Sequence, residues 1–208
     1  MIVLINPNAT AAMTQAMARV AQDHLPRHTV EGWTSTDGPA AIQGPEDGAL
    51  AVPPLLSLVQ KANERGAQAI LIGCFDDTGL SQARAIADCP VIGIGQAGYQ
   101  VAAAVGRRFS VVTTLAVSVP VLEANITAYG LDPHLARVRA SGVPVLQVET
   151  AQHAILDEIH AAQREDDIDT VVLGCGGMTT LVDTAQTQTG LRVIDGVRAA
   201  ASIAAAVA

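Results

Sequence analysis

The sequence predicts an α/β protein made of two pseudo-symmetric halves, each a parallel sheet flanked by helices, with a cleft between them. Three observations predict it. Strand-sized apolar runs alternate with amphipathic, helix-like stretches along all 208 residues. Three landmarks of the first half recur in the second, in the same order and at nearly constant spacing. Half the residues are hydrophobic but only 2% are aromatic, so Ala, Val, Ile and Leu must fill a core of closely packed helices and strands.

The elements follow in order. "IVLIN" (2–6) reads as a strand. Residues 10–25 read as a helix with Met13, Met17, Val20 and Leu25 near one face, capped by Asn8 or Thr10. "HTVEGW" (28–33) is expected to be a second strand, and the Gly- and Pro-rich stretch 35–49 a loop. A helix is expected over about 50–65, a strand at 67–73 and a helix at 80–88. A strand at 90–94 and a helix at 96–108 complete the first half.

The second half repeats this plan. "FSVVTTLAVS" (109–118) echoes the first ten residues, a strand ending in small polar residues before a helix. "TVVLGCGGMTTL" (170–181) echoes "AILIGCFDDTGL" (69–80), with Cys175 following Cys74 by 101 positions. "LRVIDGVRAAASIAAAV" (191–207) echoes "CPVIGIGQAGYQVAAAV" (89–105) at an offset of 102. The expected units are residues 1–96, rejoined by a C-terminal helix over 198–208, and residues 97–197. The run "REDDID" (164–169) is expected to be a solvated turn, and the five histidines to be solvated as well.

Composition removes several classes of function. The formal net charge is −8, with eleven arginines and one lysine scattered along the chain, which argues against a nucleic-acid partner. The longest apolar runs fall well short of the roughly 20 residues that span a bilayer, so no membrane partner is expected. Met1 runs straight into a strand with no basic-then-apolar leader, which points to the cytoplasm and reduced cysteines. Lys61 sits at a polar helix end, so a pyridoxal Schiff base is not expected. "VIGIGQAG" (91–98) lacks the dinucleotide-binding spacing, and no Walker lysine motif occurs. No cofactor is therefore expected. Ala-rich helices at 96–105 and 197–208 suggest a homo-oligomer, or else helices that cross between the halves.

The duplication carries the chemistry. Open parallel sheets bind ligands beyond the carboxyl ends of their strands, and Cys74 and Cys175 both sit there. Helix N-terminal amides at such turns are expected to lower a thiol pKa. If the halves face each other about a pseudo-twofold axis, the two sulfurs approach one cleft from opposite sides. One then removes a proton from a stereocentre while the other donates one, which is two-base racemisation. The alternatives are buried structural cysteines, a disulfide, which the cytoplasm opposes, and zinc, for which neither cysteine has a nearby CxxC or histidine partner. No metal is expected. Cys89 lies outside the duplicated polar turn and reads as structural.

Other candidates are less specific. Asn8 either faces the cleft or caps the next helix, and Thr113 and Thr114 hold the equivalent place in the second half. Asp76 and Asp77 either orient a substrate or cap the helix beginning near Leu80, and capping is favoured. Gly176 and Gly177 allow backbone N–H groups to approach a carbonyl or carboxylate. Phe75 and the loop at 38–48 are expected to wall the cleft.

Together these stretches resemble the aspartate/glutamate/hydantoin racemase superfamily, and most closely its hydantoin racemase branch, which includes allantoin racemases. The resemblance rests on "INPN" (5–8), "GPAAIQG" (38–44), "GCFDDTGL" (73–80), "PVIGIGQA" (90–97), "RFSVVTTL" (108–115), "VVLGCGGM" (171–178) and "VIDGV" (193–197). It implies cofactor-independent racemisation with Cys74 and Cys175 as opposed acid and base; the alternatives are amino-acid racemisation, the superfamily's maleate isomerisation or malonate decarboxylation, and, outside enzymes, small-molecule binding. It also implies substrate contacts near Asn8, Ile42, Phe75, Thr113, Thr114, Gly176 and Gly177. The chain departs from the family pattern at Ala9, at Gln43 and at Asp76–Thr78.

The cleft-lining motifs offer no lysine or arginine, which favours a neutral cyclic ureide over a dicarboxylic amino acid. The C5 proton of a hydantoin, flanked by a carbonyl and an acylated nitrogen, is also more acidic than that of a free amino acid. Each pKa unit of that difference lowers the deprotonation cost by about 1.4 kcal/mol.

Overall fold

A computed structural model describes all 208 residues. The first sheet holds β1 (Ile2–Asn6), β2 (Val30–Thr34), β3 (Ala69–Ile72) and β4 (Val91–Gly93) in the order β2-β1-β3-β4. The second holds β5 (Phe109–Thr113), β6 (Leu135–Ala140), β7 (Thr170–Gly174) and β8 (Arg192–Asp195) in the order β6-β5-β7-β8. Every pairing is parallel, with Ile2 opposite both Val30 and Ala69, and Phe109 opposite both Leu135 and Thr170. The four central strands β1, β3, β5 and β7 are buried along their whole length, polar Asn6, Ser110, Thr113 and Thr170 included, so they do not alternate apolar with exposed polar residues. The chain changes direction across the sheet between β1 and β3, and again between β5 and β7. Those two crevices are where such sheets accept ligands.

The helices are α1 (Ala11–His24), α2 (Pro45–Glu64), α3 (Leu80–Ile86) and α4 (Ile94–Val105) in the first half. The second half has α5 (Val119–Ala128), α6 (Gln152–Glu165), α7 (Val182–Thr189) and α8 (Gly196–Val207). An outer apolar cluster packs α2 and α3 on the first sheet through Leu55, Val59 and Leu80, and another packs α6 and α7 on the second through Ile155, Ile159 and Ala185. Between the sheets lies a larger cluster of 24 buried residues, which includes Tyr99, Phe109 and Ala199–Ala201 and belongs to both halves.

The Ala-rich helices build that shared layer. α4 packs on α8 and reaches β7 and β8, whereas α8 reaches back to α1, β3 and β4. Small residues let them meet closely: a Cβ on Gly98 would lie 3.5 Å from the Gly196 Cα, and one on Gly196 only 2.4 Å from the Ile94 carbonyl oxygen. Much of their apolar surface is thus buried inside the chain, as helices crossing between the halves.

Three expectations are corrected. α2 begins at Pro45, inside the stretch expected to be loop, because Pro45 suits the first helical position and Glu46 and Asp47 fill the first turn. Pro53 and Pro54 lie within this helix; the carbonyls they leave unpaired belong to the exposed residues Ala49 and Leu50, where water can take them. α4 begins at Ile94, directly from β4, because the Asp77 carboxylate caps it from another loop. Finally, the "REDDID" turn is not wholly solvated. Asp166 is only 7% exposed, and its carboxylate accepts hydrogen bonds from Ser110 and Arg139, each at 2.8 Å.

No helix is long and apolar enough to cross a membrane.

Candidate active site

The carboxyl ends of β1, β3, β5 and β7 converge on one cavity between the halves. Cys74 follows β3 and Cys175 follows β7, and both line it, together with Asn8 after β1 and Thr114 after β5. Neither cysteine is in a disulfide. The cavity volume is about 30 Å³, room for a water or two rather than for a five-membered ring. Of its thirteen lining residues only Asp76 carries a charge.

Local hydrogen bonds fix the rim. The Asn8 side-chain oxygen accepts from Thr10 N and from Asn6 Nδ2, both at 2.9 Å, which folds the loop before α1. Asn8 thereby faces the cavity and shapes the loop, without capping the helix itself. Ile42 closes the first-half side and Val145 the second-half side, and Gln43 Oε1 accepts from Val145 N at 3.0 Å across the mouth. Gly176 is tight against its neighbours, since a Cβ there would lie 2.5 Å from Met17 Sδ.

The turn carrying Cys74 is held by the other half. Asn125 Nδ2 on α5 donates to the Asp76 carbonyl at 2.9 Å, and Ser118 Oγ approaches Asp76 Oδ2 at 3.5 Å. The next residue, Asp77, adopts a left-handed conformation (φ 51°) that side chains other than glycine rarely take. Its carboxylate accepts from Gly95 N at 3.0 Å, from Gln96 N at 2.7 Å and from the Tyr129 hydroxyl at 2.9 Å. Asp77 therefore caps a helix, as a turn aspartate should, but the helix is α4 rather than the one beginning at Leu80.

The electrostatics reverse one expectation. Both thiols were expected to be lowered by helix amides. Instead burial pushes Cys175 up to about 11, opposed by the Gly177 N–H and reinforced by the charge of Asp76. Burial raises Cys74 further still. The Asp76 charge adds to that rise, against the Thr78 hydroxyl, 3.4 Å from the sulfur, and the Asp76 N–H. The physical reason is structural: a turn separates Cys74 from α3, and Cys175 leads into a short 3-10 segment (Gly176–Leu181) rather than a long helix. Burial also raises Asp76 to about 6, and raises Asp77 to about 7 despite its donors.

Not every sequence candidate reaches the cavity. Thr113 is 1% exposed and donates its hydroxyl to the Gly174 carbonyl at 3.0 Å, away from the cavity. Gly177 lies beside the cavity rather than in it, near the Cys175 sulfur. Phe75 touches the cavity, but its ring packs edge-on against Tyr99, 5.2 Å between centroids, in the shared core. No histidine lines the cavity, and no three His, Cys, Asp or Glu side chains gather to hold a metal ion. His28, expected to be solvated, instead buries Nδ1 without a partner. Met13, Ser118 and Val145 were not singled out from the sequence. Met13 read as a core helix residue, and the other two come into place only when the halves meet.

The sequence profile described as Asp/Glu/Hydantoin racemase matches residues 2–204. The chain belongs to the Asp/Glu/hydantoin racemase family. Membership places it among the isomerases. A hydantoin racemase of Rhizobium meliloti is 46% identical over 98% of this chain and 86% of its own length. Among solved structures, the allantoin racemase of Klebsiella pneumoniae superposes with a TM-score of 0.95 at 34% identity, covering 99% of this chain and 86% of that one. The allantoin racemase of Pseudomonas fluorescens gives 0.94 at 33% identity, covering 99% and 89%. The two-sheet architecture is thus that of the racemase family.

Proposed function

We propose that the chain is a cofactor-independent racemase of 5-substituted hydantoins, working by two-base proton transfer at C5. The observation that carries this reading is that Cys74 and Cys175, at matched positions of two repeated halves, line one cavity. The units flanking it are taken as residues 1–96 with 198–208, and residues 97–197, because α8 reaches back to β3 and β4.

In one direction a thiolate takes the C5 proton, and the electron pair moves into the adjacent carbonyl as an enolate. The opposite thiol then delivers its proton to the other face of C5. The enzyme is left with the two thiol states exchanged, and the reverse reaction restores them. A buried thiol with a raised pKa is scarce as a thiolate but strongly basic once formed, which suits a carbon acid. Asp76 Oδ1 has no hydrogen-bond partner in the protein, so it is available to a ring N–H of the substrate.

Dicarboxylic amino acids fit less well. Asp76 faces the cavity and no lysine, arginine or histidine lines it, so a second carboxylate would meet repulsion with no side-chain cation to offset it. A neutral ureide meets no such penalty.

The test is racemisation of D- and L-hydantoins in deuterium oxide. Solvent deuterium should enter C5 during turnover, and Cys74→Ser and Cys175→Ser should each lower racemisation by about a thousandfold or more. Full activity in either variant overturns the two-base scheme. Turnover of aspartate or glutamate in place of hydantoins overturns the substrate assignment.

A further inference from the structure

The thiol cavity shares a wall with a second cavity. Met13 and Val145 line both. The second measures about 150 Å³ and lies between Ala12 and Ala16 of α1 and the Leu146–Val148 turn of the other half. Gly177 stands at the junction. A Cβ there would lie 3.8 Å from Cys175 Sγ, 3.5 Å from the Met13 methyl and 3.6 Å from Val148 Cγ1. Gly177 and Met13 together form the partition between the sulfur and this lobe.

The thiol cavity alone is too small for a substituted ring, so a bound substrate must extend past one of its walls. Met13 is the most readily moved of them, an unbranched thioether whose sulfur receives only a 3.5 Å contact from Asn8 Nδ2. The lobe beyond it is apolar. Its polar members are already engaged or outside: the Thr10 hydroxyl donates to the Ala40 carbonyl at 2.7 Å, and Glu149 is exposed at the rim. Leu146 forms part of the wall with 57% of its surface open to solvent, so it gains cover when the lobe fills.

We infer that this lobe receives the C5 substituent of the hydantoin and selects apolar groups up to about benzyl size, with Met13 moving aside to join the two cavities. The inference rests on the hydantoin reading above. An apolar cavity of about 150 Å³ accommodates a benzene ring. A ureido substituent would instead bring several N–H groups and a carbonyl against Met13, Val145 and Val148, where they find no partners.

The test compares the wild-type chain with Ala16→Leu, which fills the lobe from a helix position that tolerates leucine. Both are assayed with 5-methyl-, 5-isobutyl- and 5-benzylhydantoin and with allantoin. Three additional buried carbons should give the wild type a kcat/KM about 50-fold higher for the isobutyl than for the methyl compound. Ala16→Leu should lower that ratio about tenfold by occupying the same volume. Equal ratios in the two proteins, or allantoin turned over faster than the isobutyl compound by the wild type, overturn the lobe. Failure of the wild type to racemise any of the four overturns the hydantoin reading instead. Calorimetric affinities for the same four compounds then read the lobe alone, with the same ordering expected and an equal isobutyl-to-methyl ratio in both proteins overturning it.

Discussion

The Tyr129 hydroxyl, at the end of α5, donates to Asp77 Oδ2 at 2.9 Å, so the second half holds the strained turn that carries Cys74 of the first. Burial raises Asp77 to about 7, and this hydroxyl opposes the rise. Tyr129→Phe should remove about 1–2 kcal/mol of stability above pH 8, where Asp77 is ionised and depends on its donors. Well below pH 7 the carboxyl is protonated in the folded chain, and the loss should shrink. Chemical denaturation of both proteins at pH 5 and pH 8.5 measures this, and an equal gap at the two pH values would show that the hydroxyl does not serve the carboxylate.

Asp76 should behave oppositely when neutralised. Its folded pKa, about 6, lies above the ordinary 3.8. The folded chain therefore keeps a proton that the unfolded chain loses between those values. Its contribution is fully present below pH 4 and is lost as pH rises through 6. Asp76→Asn should come close to the wild type at pH 4 and exceed it by about 3 kcal/mol at pH 8. It should also speed alkylation of Cys74, whose thiol the carboxylate charge raises. A variant less stable than the wild type at pH 8 contradicts this account.

Both cavity thiols should rest protonated at neutral pH, since burial raises both, Cys175 to about 11. Alkylation by iodoacetamide should therefore climb about tenfold per pH unit between 7 and 10 at Cys74 and Cys175. Peptide mapping separates these from Cys89. A rate already level at pH 7 would mean a resting thiolate.

Two glycines should respond in opposite directions. Gly196→Ala drives a methyl against the Ile94 carbonyl at the meeting of α4 and α8, and should cost about 3 kcal/mol. Gly48, inside α2, has nothing closer than 3.9 Å to its absent Cβ, so alanine there should stabilise the fold by about 0.5–1 kcal/mol. Thermal melts of the two variants report the signs.

The repeat made the fold legible, because Cys74 and Cys175 recur in matching strand-to-turn contexts and the central strands are mostly apolar and strand-sized. What local pattern could not convey was who touches whom. Nothing in "FDD" tells which aspartate faces the cavity. Asp76 does so because Ser118 and Asn125 arrive from the other half, while Asp77 turns away to cap α4, a helix that begins seventeen residues downstream. Thr113 misled because strand alternation turns it into the interior, while Thr114 beside it reaches the cavity. The thiol pKa values misled for a related reason: the glycine-flanked turns suggested helix dipoles, whereas burial dominates. Pro45 hid a helix start because proline marks both loops and first turns.

The exchange of α4 and α8 across the seam has a consequence for how such a molecule could have arisen. A lone ancestral repeat would have left part of one flank of its sheet bare, since α8 here covers β3 and β4 of the first sheet while α4 reaches β7 and β8 of the second. Two identical copies lending each other that helix would have sealed both flanks and faced two equivalent sulfurs across a dyad. In the present chain the two copies differ at that place: Asp76 stands beside Cys74, and Gly177 holds the matching position after Cys175.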